Sequence, residues 1–203
     1  MGYGKVGRQA LADGVVGPFR LDKDGNLAVA NYGGKYVDAV LAGRMFIAAN
    51  QAAVALTAAF ATTYTGLVLE NPVGSGKNMI LHEVTYASTV AVPTAAALGL
   101  MTGADAGDAA SAITPRNRLK SGSAPASAAI VDNGCTLTGT PVLEQLFTTA
   151  WTEATTAGTL GQPNVVRLDG SLIITPGYFA AIYSSAANTA AFLFSFMWEE
   201  MNI

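Results

Sequence analysis

Charge is scarce in this chain. Asp, Glu, Lys and Arg make up 12% of its 203 residues, about half of the ~25% usual in soluble domains. Hydrophobic residues make up 51%, much of that alanine. Fourteen acids and eleven bases cover little of the surface that a solitary globule of this size must present to water. The chain is therefore either a membrane protein or a subunit that hides much of its surface against neighbours. Three uncharged windows, 45–69, 84–104 and 171–198, have membrane-like length, but Asn, Gln, Thr, Gly and Pro break each of them. A spanning helix wants ~20 predominantly apolar residues, and small alanines among threonines do not supply them. The composition favours an assembled subunit and no membrane partner.

Other shortages narrow the chemistry. The single cysteine, Cys135, excludes an internal disulfide and gives no sign of an oxidising compartment. His82 is the only histidine, so Ser/His/acid or Cys/His catalysis would have to run through it, and zinc could draw on only one imidazole. A lone histidine in a strand is more simply a packed or half-exposed side chain. The net charge of −3 carries no basic excess, which argues against nucleic acid as a partner. The opening MGYGKVGRQALADG has no apolar core of signal-peptide type, and Val6 replaces the Ser or Thr of a myristoylation signal. The expectation is a protein made and used without a cleaved leader.

Two stretches imitate ligand motifs and fail on inspection. Gly74-Ser-Gly-Lys77 suggests a phosphate loop, but Asn71 stands where the first glycine is needed and Asn78 where Ser or Thr should hold magnesium. It also precedes a strand rather than a helix. Asp22-Lys-Asp-Gly-Asn26 has alternating oxygen ligands, yet the twelfth position from Asp22 is Gly33, not the bidentate Glu of a calcium loop. Both read as turns. No cofactor and no metal are expected, and neither is enzymatic activity.

The pattern along the chain is strand and turn. Residues 1–18, rich in glycine, read as an extended N-terminal arm, and residues 19–203 as one domain. A hairpin is expected around Asp24-Gly25, strands over 35–50, 62–70, 79–92 and 128–137, and a strand or short helix over 141–152. Residues 51–61 fit helix or strand edge. Residues 94–102 could pair beside the 79–92 strand. The longest irregular segment, 103–127, carries Arg116, Arg118 and Lys120, too few charges for a nucleic-acid surface but suited to a contact with another subunit. Roughly eight to ten short strands without convincing helices between them indicate an all-β fold, an antiparallel β-sandwich of jelly-roll type.

The closing stretch 170–198 contains no charge. Pro176-Gly177 suits a type II turn, and Asp169-Gly170 marks a turn leading into a three-strand meander. Phe192, Phe194, Phe196 and Trp198 recur at every second position, which puts four aromatics on one strand face. That face should fill the sandwich. The opposite face, Ala191, Leu193, Ser195 and Met197, should be covered by a neighbouring copy, and Glu199-Glu200 reads as a solvated, charged stop. Tyr32, Tyr36 and Tyr64 read as exposed tyrosines available to a binding function.

Three stretches, GRMFIAANQAAVALTAAFATTYTGLVLENP, GSGKNMILHEVTYA and TPGYFAAIYSSAANTAAFLFSFMWEEM, resemble bacteriophage virion proteins of jelly-roll type, found as decoration (cement) proteins of heads and as domains of fibres or baseplates. The last is similar in layout to the final strands of trimeric jelly rolls of the tumour-necrosis-factor and complement C1q type. The resemblance implies a homotrimer with a structural role in the virion, assembled in the host cytoplasm. Its partners would be copies of itself and the major capsid protein or other virion proteins. A receptor- or glycan-binding head of a tail fibre or baseplate is the alternative.

Overall fold

A computed structural model describes residues 34–89, 96–104, 112–151 and 164–203, with only the backbone described for 148–151, 190 and 191. The expected arm over 1–18, the hairpin at Asp24-Gly25, Asp22–Asn26 and Tyr32 lie outside the described residues. The chain divides into two compact units, 1–37 and 38–203. In the first, only 34–37 are described. Apart from Val37, the helix and strands lie in the second.

A five-residue helix, α1 (Val37–Leu41), opens the described chain. It stands where a strand was expected, and its end explains why. Gly43 takes φ +70°, the amide of Arg44 reaches back to the Ala39 carbonyl, and that of Gly43 to Val40. This pair of bonds, with glycine in the left-handed region, stops the helix after little more than one turn. The strand follows as β1 (Met45–Ala49). Next come β2 (Val54–Leu56), β3 (Thr63–Asn71), β4 (Lys77–Ser88), β5 (Ala96–Ala104), β6 (Arg116–Asn117) and β7 (Ile130–Thr136). β8 (Val142–Trp151), β9 (Asn164–Ile174), β10 (Tyr178–Ser184) and β11 (Asn188–Asn202) complete the chain.

The strands form two antiparallel sheets. One runs β6-β1-β11-β4-β9, with β2 added beside β11, and the other β7-β3-β10-β5-β8. Removing the short β2 and the edge strands β6 and β7 leaves β1-β11-β4-β9 facing β3-β10-β5-β8. Every connection among these strands crosses from one sheet to the other, except that from β5 to its neighbour β8. That is the connectivity of a jelly roll. The chain is an antiparallel β-sandwich, as its turn spacing indicates.

The crossing also corrects the expected meander. β9, β10 and β11 follow one another in sequence but alternate between sheets, so the Pro176-Gly177 turn arches over the sandwich instead of closing a hairpin. Gly177 has φ +83°, and the Tyr178 amide donates to Thr175 O at 3.1 Å, consistent with the turn type expected. Likewise β5 pairs with β10 and β8, not with β4. The irregular segment after β5 is an insertion in the β5–β8 hairpin, and its strands β6 and β7 border the opposite edges of the two sheets.

The aromatic face of β11 fills the sandwich as its spacing requires. Phe192, Phe194, Phe196 and Trp198 are all buried in the main core, against Leu67 and Leu69 of β3, Leu98 and Leu100 of β5, and Ile182 of β10. Phe46 of β1 stacks on Trp198 with ring centroids 6.0 Å apart. Full burial of each such ring stabilises the fold by about 2–3 kcal/mol before conformational entropy is counted. A second cluster, Tyr64, Val68, Met101, Cys135, Leu137, Phe179 and Ala181, involves the residues of β3, β5 and β10 whose side chains point away from the main core. The three central strands of that sheet are therefore buried on both faces.

Candidate assembly surfaces

The outer face of the first sheet carries the side chains first expected to meet a neighbour. Leu193 and Ser195 are half-buried there, Met197 is only 8% exposed, and the side chain of Ala191 lies outside the described residues. The Ser195 hydroxyl bonds that of Thr85 on β4. The strand ladders also bring both groups of expected interface residues onto one row, because Arg116 of β6 pairs with Ile47, which pairs with Met197. Arg116, Arg118 and Lys120 are exposed. Asn117 holds their segment in place, donating to Gly43 O at 2.7 Å and Pro125 O at 3.1 Å and accepting from the Leu119 amide. The Lys120 ammonium turns back onto Asn117 O, while Arg116 and Arg118 form no ion pair among the described residues.

A larger apolar exposure lies on the outermost strands, where sequence reading assigned no role. β8 and β9 each end their sheet, so each leaves one row of backbone N–H and C=O groups unpaired by the sheets. Val142 and Leu146 on β8 are 61% and 55% exposed, and Val165 and Ile173 on β9 are 51% and 52% exposed. The two edges lie on the same side of the sandwich. Glu144 of β8 and Leu172–Ile174 of β9 line one cleft of about 220 Å³, together with Thr102 and the half-exposed Tyr178. Neither strand carries a lysine or mid-strand proline, but both are bulged, the β5–β8 register shifting at three places and the β4–β9 register at one.

β9 is broken in its middle. Between Leu81↔Leu172 and Glu83↔Arg167 the ladder skips His82 on β4 and residues 168–171 on β9. Asp169 (φ +53°) and Gly170 (φ +84°) make the bulge. The Asp-Gly turn signal is thus real but interrupts a strand instead of ending one. His82, the extra residue of β4, is 8% exposed and lies below Gly170, where a Cβ would come within 3.6 Å of its ring. Its Nε2 is 3.6 Å from Glu199 Oε2, and Glu199 Oε1 accepts from Arg44 Nε at 2.9 Å.

Glu199 and Glu200 are therefore not a solvated stop. Glu200 is 4% exposed, and its carboxylate accepts from Ser127 Oγ, the Ala128 amide and Trp198 Nε1. Buried carboxylates persist when donors surround them, and this one ties the loop before β7 to the end of β11. Tyr64 also departs from expectation. It is 2% exposed and donates to Ile182 O at 2.6 Å. Burial pushes its phenol well above 10. Burial pushes the Cys135 thiol up to about 12, with Asp132 and Glu70 adding to the shift. Asp132 is raised by burial as well. Its Oδ1 and that of Asn133 are buried and lack hydrogen-bond partners among the described residues.

A cleft of about 500 Å³ opens on the side opposite β8 and β9. Ile47, Ala49 and Gln51 line it from β1 and the turn after it, Ile113 and Arg116 from the insertion, and Asn133 from β7. The Gly74–Lys77 stretch is a turn that carries the chain from β3 in one sheet to β4 in the other, pinned by Asn71. Asn71 Nδ2 donates to Lys77 O and Ile174 O, both at 2.8 Å, and its Oδ1 accepts from Ser75 Oγ. Among the described residues no group of His, Cys, Asp and Glu is arranged to hold a metal ion, and no helix is long and apolar enough to cross a membrane. Comparison with protein-family models, with curated proteins and with solved structures finds no match to this chain.

Proposed function

We propose that this chain is a structural subunit of a bacteriophage virion. It is a homotrimeric decoration or cement protein that binds the major capsid protein or neighbouring virion proteins and stabilises the head. The observation that carries the reading is the pair of edge strands with no strand beside them among the described residues. β8 and β9 present Val142, Leu146, Val165 and Ile173, each more than half exposed, beside backbone that no strand pairs among the described residues. Exposed apolar side chains at a sheet edge favour cover by a neighbour. The 12% charge content and the jelly-roll connectivity agree with it, and the resemblance of three stretches to phage virion proteins supplies the particle. The reading assigns the chain no reaction and no cofactor.

Sedimentation equilibrium at micromolar concentration tests the assembly. The expected species has three times the 20.7 kDa mass of the chain, and a stable monomer overturns the trimer. Copy number in purified particles tests the role. Roughly hundreds of copies fit a shell-decorating protein, and a few tens fit the receptor-binding head of a fibre.

A further inference from the structure

The two sides of the sandwich differ in a way that bears on how copies meet. One side, formed by β8 and β9, exposes Val142, Leu146, Val165 and Ile173 and carries the exposed acids Glu144 and Asp169 with a single exposed base, Arg167, on the two strands. The other side holds the 500 Å³ cleft and the exposed bases Arg116, Arg118 and Lys120, with no exposed acid between residues 112 and 133. The cleft has apolar walls in Ile47 and Ile113. It also holds a buried acceptor, Asn133 Oδ1, with no partner among the described residues.

We propose that these two sides bind each other between copies: the β8–β9 edge of one subunit seats in the β1–β6 cleft of the next. The inference rests on the oligomeric part of the proposed function and names the surfaces involved. Two observations favour a second copy as the occupant. The charges are complementary, since Glu144 and Asp169 would approach Arg116 and Arg118, which have no ion pair among the described residues. The apolar surfaces match in kind, exposed Val142 and Leu146 facing a cleft walled by Ile47 and Ile113.

Pairing the edge with itself would leave the bases unused and bring Glu144 of one copy towards Glu144 of the other, which like-charge repulsion opposes. Because the two surfaces occupy opposite sides of one subunit, their contact is head-to-tail. A head-to-tail contact closes into a ring when its rotation allows.

Sedimentation velocity on the full chain, with far-ultraviolet circular dichroism as a check on folding, tests this with three variants. Glu144→Arg alone, and Arg116→Glu with Arg118→Glu, are each expected to weaken association at least about tenfold, because each juxtaposes like charges. Combining all three substitutions restores opposite charges across the interface and should recover most of the loss. Wild-type oligomers untouched by both single-side changes overturn the inference and leave the proposed function standing, as does failure of the combined variant to recover. A monomeric wild type overturns both.

Discussion

Cys135 is a thiol that the fold keeps out of chemistry. It lies in the second cluster beside Tyr64, Val68 and Phe179, and burial with nearby carboxylates pushes it up to about 12. An unfolded thiol titrates near ~8.5, so the folded chain at neutral pH carries roughly a thousandfold less thiolate, the only reactive form. A disulfide reagent such as dithionitrobenzoate at pH 8 should label the native chain at least about a hundredfold more slowly than the guanidinium-unfolded chain, and equal rates would refute this. The same shift sets a pH dependence. Both folded Cys135 and folded Tyr64 hold their protons to higher pH than their unfolded forms. Their stabilising contribution is therefore complete below about pH 8.5 and is lost as pH rises towards 12. Denaturation midpoints should fall across that window. Asparagine does quieter work. Asn50 donates to Ala52 O and Phe192 O and accepts from the Phe194 amide, while Asn71 and Asn117 do likewise at other breaks in the ladders. Each supplies the bonds that regular pairing would have made.

At the scale of elements, glycine determines where the strands bend. In β3, Gly66 adopts φ +134°, and a Cβ there would sit 2.3 Å from Tyr64 Oη and 2.8 Å from its Cζ. The tyrosine hydroxyl passes through that gap to reach Ile182 O, at the place where the β3–β7 register shifts. Gly66→Ala should therefore lower unfolding free energy by about 3 kcal/mol or more, the sum of backbone strain and a broken buried hydrogen bond. Gly74→Ala, at φ +81° with nothing within 4 Å of the added carbon, should cost only about 1 kcal/mol. Similar losses in urea titrations of the two variants would contradict the steric account. The same elements show what the sequence could reveal. β11 was legible because only one of its faces enters the main core, leaving a period of two in Phe192, Phe194, Phe196 and Trp198. β3 and β10 were legible as strands, but not which way their side chains point, because apolar clusters bury both faces and erase the alternation. Tyr64 was misread for that reason. The β9 bulge and the crossing of β9, β10 and β11 depend on partners distant in sequence, so local turn chemistry at Asp169-Gly170 and Pro176-Gly177 marked bends without fixing what they connect. Of the candidate surface, the outer face of β11 and the Arg116–Lys120 bases were legible, and the β8–β9 edge was not, since an edge exists only once the strand order is known.

For the whole molecule the question is where folding ends and assembly begins. Met197 was expected to wait for a neighbour, yet it is already 8% exposed within one chain, whereas Val142 and Leu146 are 61% and 55% exposed. Charging the first damages the fold, and charging the second pair damages only association. Met197→Lys should therefore lower the stability of the isolated chain by several kcal/mol, on the order of 2–4 for an unpaired buried ammonium. Val142→Lys with Leu146→Lys should alter it by no more than about 0.5 kcal/mol while abolishing the oligomer. Thermal melts over a hundredfold range of protein concentration distinguish these outcomes. An assembling wild type melts at higher temperature as concentration rises, because association draws the folded state by mass action. The double-lysine variant should melt at one temperature throughout, matching the dilute limit of the wild type. If it keeps the concentration dependence, the assembly surface lies elsewhere than the β8–β9 edge, and the outer face of β11 regains its claim.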